Sequence, residues 1–85
     1  MARFELQFKR SVAKDLRTLP AKDVKKILKR IENLATNPRG EGCVKLTGKE
    51  YYRVRVGVYR VVYEIRDKEL IILVINVGHR SSVYN

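Results

Sequence analysis
This 85-residue chain has one cysteine, two prolines, no tryptophan and only nine acidic residues. A lone Cys43 cannot close an internal disulfide or build a CxxC metal site, so it reads as a half-buried thiol at a strand start. A chain that needs no disulfide suits a reducing compartment. No apolar run is long enough to span a bilayer, the longest being the strand-length stretch Leu70 to Ile75. The opening MARFELQFKR lacks the apolar run of a signal peptide. These absences together lead to the expectation of a soluble, cytoplasmic protein with no membrane partner. HExxH, P-loop, GxGxxG and GxSxG motifs are missing too, which removes support for zincin, nucleotide-hydrolase and serine-hydrolase chemistry. Asp15, Asp23 and Asp67 are expected on helix surfaces or in a turn and assemble no carboxylate cluster, so neither metal nor cofactor is expected.

What is abundant is positive charge. Nineteen Lys and Arg against nine Asp and Glu give a formal net charge of +10. A balance that far from neutral speaks about partners, and for a small basic domain nucleic acid ranks first. The hydrophobic fraction of 45% is that of a folded protein, and the length suits one domain, residues 1–85.

The apolar periods divide the chain into elements. Phe4, Leu6 and Phe8 alternate as on a half-buried strand. Val12, Leu16 and Leu19 then fall at helical spacing until Pro20, which opens a second helix with Asp23 near its positive end. Val24, Ile27, Leu28, Ile31, Leu34 and Ala35 form its apolar stripe, and Asn37-Pro38-Arg39-Gly40 stops it. Lys25, Lys26, Lys29 and Arg30 cover the outer face. A short strand Val44–Leu46 follows, then a turn at Thr47–Glu50 and a hairpin, Tyr51–Val56 and Val58–Ile65. The last strand, Leu70–Val77, is apolar on both sides, as a central, doubly covered strand would be. The expectation is a single small α+β domain, β-α-α-β-β-β-β, with a helical hairpin packed on one face of a mainly antiparallel sheet.

The hairpin RVRVGVYRVVY holds the charge problem. With Gly57 at the first central position of a type II′ turn, Val54, Val56, Tyr59 and Val61 share one face. Arg53, Arg55, Arg60 and Val62 share the other, and Arg55 stands opposite Arg60 although facing like charges destabilise a sheet. The plain reading is solvated charge, with Glu64 as a partner. Three arginines gathered at a stability cost favour a function, because the guanidinium fork fits phosphate oxygens bidentately. His79 and Tyr84 form a second group with Arg80. His79 is the only histidine, and an imidazole is the side-chain type suited to exchanging protons. Tyr84 could stack on a base or anchor the chain end.

Leu46-Thr47-Gly48, YYRVRVGVYRVVYEI and the ending VINVGHRSSVY resemble RelE-type toxins of the RelE/ParE toxin–antitoxin superfamily over nearly the whole chain. That resemblance implies a type II toxin that enters the ribosomal A site and cleaves mRNA there, restrained by a cognate antitoxin in a heteromeric complex. Cleavage in that family needs no metal: the ribose 2′-hydroxyl attacks the adjacent phosphate. By position, Arg60 matches the arginine assigned to transition-state stabilisation. Arg53 and Arg55 match two basic strand positions where RelE has lysines. Arg80 and Tyr84 match the terminal arginine and tyrosine, and His79 stands where RelE has a lysine. The implied catalytic set is Arg55, Arg60, His79, Arg80 and Tyr84, with Arg53, Lys45 and Lys49 holding RNA. Two alternatives remain: a ParE-type poison of DNA gyrase, and a non-enzymatic RNA- or ribosome-binding module.

Overall fold
The computed structural model describes residues 3–46 and 50–79. The elements are β1 (Glu5–Phe8), α1 (Arg10–Arg17), α2 (Ala21–Leu34), β2 (Val44–Lys45), β3 (Tyr51–Val56), β4 (Tyr59–Arg66) and β5 (Ile71–His79). They come in the order expected. The strands form one sheet in the order β1-β5-β4-β3-β2. Only β1, which lies beside β5, pairs in parallel; the other contacts are antiparallel.

The start of α2 has a local cause. Pro20, lacking an amide hydrogen, is the N-cap of α2, and its carbonyl accepts from the amides of Asp23 and Val24. Only three residues separate the two helices. Val12 of α1 and Ile27, Ile31 and Leu34 of α2 bury against Tyr52, Val54, Val61, Tyr63, Ile65, Ile72, Val74 and Val77 of the sheet. That cluster is the core, and it puts both helices on one sheet face. Leu28 departs from the expected stripe: it is 37% exposed and stands at the margin beside Phe8, Val12 and Leu16. Arg30 departs as well, since it turns inward and donates to the Glu41 carbonyl at 3.0 Å.

The β3–β4 turn behaves as its sequence demands. Gly57 has φ +60°, and Val58 keeps a negative φ, the type II′ pattern. The last strand begins one residue later than expected, because Leu70 closes the preceding turn at φ +56°. It is central in the sheet, but Ile71, Leu73 and Ile75 are half-buried, so its second face is not covered as the first is.

One irregularity in β5 decides which way its end points. Val62 pairs with Asn76 and Tyr63 with Val74, which leaves Ile75 as an extra residue, a β-bulge. Before the bulge, Ile72 and Val74 face the core; after it, Val77 does. Asn76 and Gly78 therefore fall on the helix-free face, and His79 falls on the helix side.

Candidate functional site
The helix-free face of β3 and β4 carries the arginines. Arg55 pairs with Arg60 and Arg53 with Val62. In a two-residue hairpin the flanking pair Val56/Tyr59 is hydrogen-bonded, so Arg55/Arg60 is the non-hydrogen-bonded pair next to it, where side chains approach most closely. The pairing read from the sequence is thus present, at the kind of cross-strand pair where side chains come closest.

Exposure is where the site differs from expectation. Arg55 is exposed and Arg53 half-buried, but Arg60 is only 4% exposed, the one buried charged side chain among the described residues. A buried guanidinium is held by its surroundings and cannot swing freely, which suits a group that must meet an anion in one geometry. On its other flank Arg60 pairs with Gly78, which adds no side chain to this face. Glu64, considered as a neutralising partner, accepts from Arg66 Nε at 3.1 Å.

The remaining expected residues are dispersed. His79 pairs with Tyr59, whose side chain packs on the core, so its imidazole is on the opposite side of the sheet from Arg60. The two rings meet edge to face, with centroids 6.2 Å apart. His79 borders a groove of about 390 Å³ between β5 and α1, with Asp15 and Thr18 on the far wall. Lys45 pairs with Tyr52, which also assigns it to the helix side, and its amine lies 3.5 Å from Glu50. Lys49, Arg80 and Tyr84 lie outside the described residues.

Several polar residues, among them the three aspartates expected on helix surfaces or in a turn, have definite work in the fold. Asp15 accepts from the Val77 amide at 3.2 Å, at the part of the β5 edge that β1 leaves uncovered. Asp23 accepts from the Tyr59 hydroxyl at 2.8 Å, which ties the hairpin to α2 and raises the phenol's pKa. Arg39 donates twice to Asp67, at 3.0 and 2.8 Å, and once to the Tyr52 hydroxyl at 3.1 Å. That contact holds the Asp67 carboxyl below its ordinary range. Burial, first of all, pushes the Tyr63 phenol well above its usual value, and its hydroxyl donates to the Pro38 carbonyl at 2.6 Å. Spacing in the sequence carries no signal for these pairs, which join residues 13 to 62 positions apart.

Residues 6–84 match the family model described as the ParE toxin of the type II toxin–antitoxin system parDE. A Methanocaldococcus jannaschii protein named as a RelE1 toxin is 35% identical, and the alignment covers 96% of each chain. RelE of the Pyrococcus horikoshii RelE–RelB complex is 26% identical with a TM-score of 0.83, over 96% of this chain and 99% of that one. A chain of the intact Escherichia coli RelBE toxin–antitoxin complex is 30% identical with a TM-score of 0.78, over 92% and 96%. A helical hairpin on a five-stranded mixed sheet, matched from end to end by these relatives, means that the chain belongs to the RelE/ParE superfamily and is a RelE-like toxin of a type II toxin–antitoxin system.

Proposed function
We propose that the protein is a ribosome-dependent endoribonuclease that cuts mRNA in the A site and so stops translation. The observation that carries this reading is the Arg55–Arg60 pair, one arginine exposed and the other buried, on the helix-free face. An anion between two facing guanidinium groups turns their repulsion into binding, and a phosphodiester matches the fork. Arg55 and Arg60 hold the scissile phosphate, and Arg53, two residues along the same strand face, holds the adjoining backbone.

The reaction fits such a site. The ribose 2′-oxygen forms a bond to the adjacent phosphorus while the P–O5′ bond breaks. One proton leaves the 2′-hydroxyl and one is delivered to the departing O5′. The products are a 2′,3′-cyclic phosphate and a 5′-hydroxyl. Charge grows on the phosphoryl oxygens in the transition state, and a fixed guanidinium stabilises it there. Arginine stays protonated and is no general base. His79 is proposed to exchange a proton from the end of β5, with Arg80 and Tyr84 completing the set, while Lys45 and Lys49 contact RNA more remotely. Since His79 lies across the sheet from Arg60, the RNA must pass the strand end to reach both. The ribosome would supply the in-line orientation of the 2′-hydroxyl, so naked RNA should be a poor substrate.

The relatives named in complexes with RelB support a cognate antitoxin as the partner of this chain, in a heteromeric assembly. The helices are too short and polar to cross a membrane among the described residues, and action on ribosomes requires the cytoplasm.

The ParE description of the matching family model favours a second reading, a gyrase poison on the same fold. Primer-extension mapping in a purified translation system separates the two. The nuclease reading expects ribosome-dependent cuts that Arg60→Ala reduces by about 10²- to 10³-fold while ribosome binding persists. Trapped gyrase–DNA complexes with intact mRNA would support the poison. A graded loss of binding, with no cuts by the wild type, would leave only an RNA-binding module.

A further inference from the structure
Four of the five tyrosines lie in the described residues, and three of those are fully engaged. Tyr52 stacks on Tyr63 with centroids 5.9 Å apart, Tyr59 meets His79 edge to face, and all three hydroxyls have hydrogen-bond partners. Each of these rings belongs to the helix-facing side. Tyr51 is different. It pairs with Glu64 and shares its parity with Arg53 and Arg55, so its side chain stands on the arginine face. It is half-buried, and neither its ring nor its hydroxyl has a partner among the described residues.

Tyr51 stands in line with two arginines on this face, and it has none of the ring contacts that engage the other three tyrosines. Alternate residues of a strand are about 7 Å apart, so Tyr51, Arg53 and Arg55 make a row of about 14 Å. That row is apolar and aromatic at one end and cationic at the other. Phosphate alone would explain the arginines but not the ring.

The geometry points to Tyr51 as a stacking platform for an unpaired nucleobase of a single RNA strand whose phosphates lie on Arg53 and Arg55. The inference rests on the proposed reading of this face as an RNA site, and it adds where the strand runs: along β3, from the Arg55–Arg60 pair toward Tyr51. Stacking uses the π-face that every base has, so Tyr51 adds affinity and register without selecting one base. The arginines supply the charge complementarity that brings the strand there.

The test is equilibrium binding of the full chain to a fluorescent single-stranded oligoribonucleotide with 2′-O-methyl sugars, which cannot be cleaved by 2′-hydroxyl attack. A second probe carries abasic sites on the same backbone. Tyr51→Ala is expected to weaken the base-containing probe by about 5- to 150-fold and the abasic probe far less. Tyr51→Phe and Tyr51→Trp are expected to hold wild-type affinity. Tyr51→Leu, which keeps apolar bulk for the fold, should bind like the alanine variant. Equal affinity of wild type and Tyr51→Ala for the base-containing probe overturns the inference, as does a Phe variant as weak as Ala. Because the probe is uncleavable, a wild type that binds it through Tyr51 yet cuts no mRNA refutes the nuclease reading and leaves the platform intact. Cleavage that depends on Arg60, with Tyr51→Ala at full affinity, does the reverse.

Discussion

Replacing Arg55 by alanine removes one of two like charges that face each other at the closest kind of cross-strand pair. The same change should therefore move stability and function in opposite directions. Like charges directly opposite destabilise a sheet, so Arg55→Ala should unfold at slightly higher denaturant or temperature than wild type while its mRNA cleavage falls. An unchanged or lower midpoint would show that the pair is not repulsive in the free protein. Tyr63 makes the contrasting case, a residue whose role is wholly structural. Its ring is fully buried and its hydroxyl satisfies the buried carbonyl of Pro38. Tyr63→Phe leaves that carbonyl without its donor and should cost about 1–3 kcal/mol in chemical denaturation. Its effect on cleavage by the folded fraction should be small, because Tyr63 faces away from the arginines. Residues of these two kinds were unequally legible. The parity of Arg53, Arg55 and Arg60 is local and can be counted along the strand. The burial of Arg60 and the bond from Tyr63 to Pro38 depend on what other segments bring alongside, which local spacing does not encode.

At the scale of elements, the hairpin turn sets the register on which the site depends. Gly57 sits at φ +60°, a conformation that costs an L-residue about 1–2 kcal/mol. Nothing lies within 4 Å of where its Cβ would be, so the penalty is one of backbone and not of crowding. Gly57→Ala should lower stability by about 1 kcal/mol in denaturant titration and weaken cleavage further if the turn changes type, since Arg55 would then lose its place opposite Arg60. Most elements were readable in advance because their causes are local: alternation for β1, a helical stripe for α2, proline at the helix junction, glycine at the turn. The departures also have physical causes. Leu28 fits the helical stripe, yet it stands at a partly open margin beside Phe8 and Leu16. Leu70 looks like the start of an apolar strand but completes a tight turn.

For the whole molecule, electrostatics links distant parts of the chain. The Arg39–Asp67 ion pair holds the loop after α2 to the β4–β5 turn and lowers the Asp67 pKa. A carboxylate depressed in the folded state adds stability above its unfolded pKa. That contribution disappears as pH falls through the lower folded value, a window below about pH 4. Melting temperature followed against pH should show this acid-side loss in wild type and less of it in Asp67→Asn; identical acid limbs would remove the pair from the account. Both side chains are well exposed, at 44% and 59%, so the difference should also shrink with added salt.

The amino-acid sequence by itself determined the basic character, the α+β order, the helical hairpin and the opposition of Arg55 to Arg60, because each follows from composition, period or a two-residue turn. Tertiary structure decided the direction of the end of β5. Counted by simple alternation from Ile72 and Val74, Gly78 would face the core and His79 would join the arginines. The bulge at Ile75 adds one residue and reverses both. A one-residue shift exchanges the two faces of a strand, and whether a strand bulges depends on its packing against its neighbours. That is why the arginine pair could be read from the chain alone, whereas the glycine beside Arg60 and the histidine across the sheet could not.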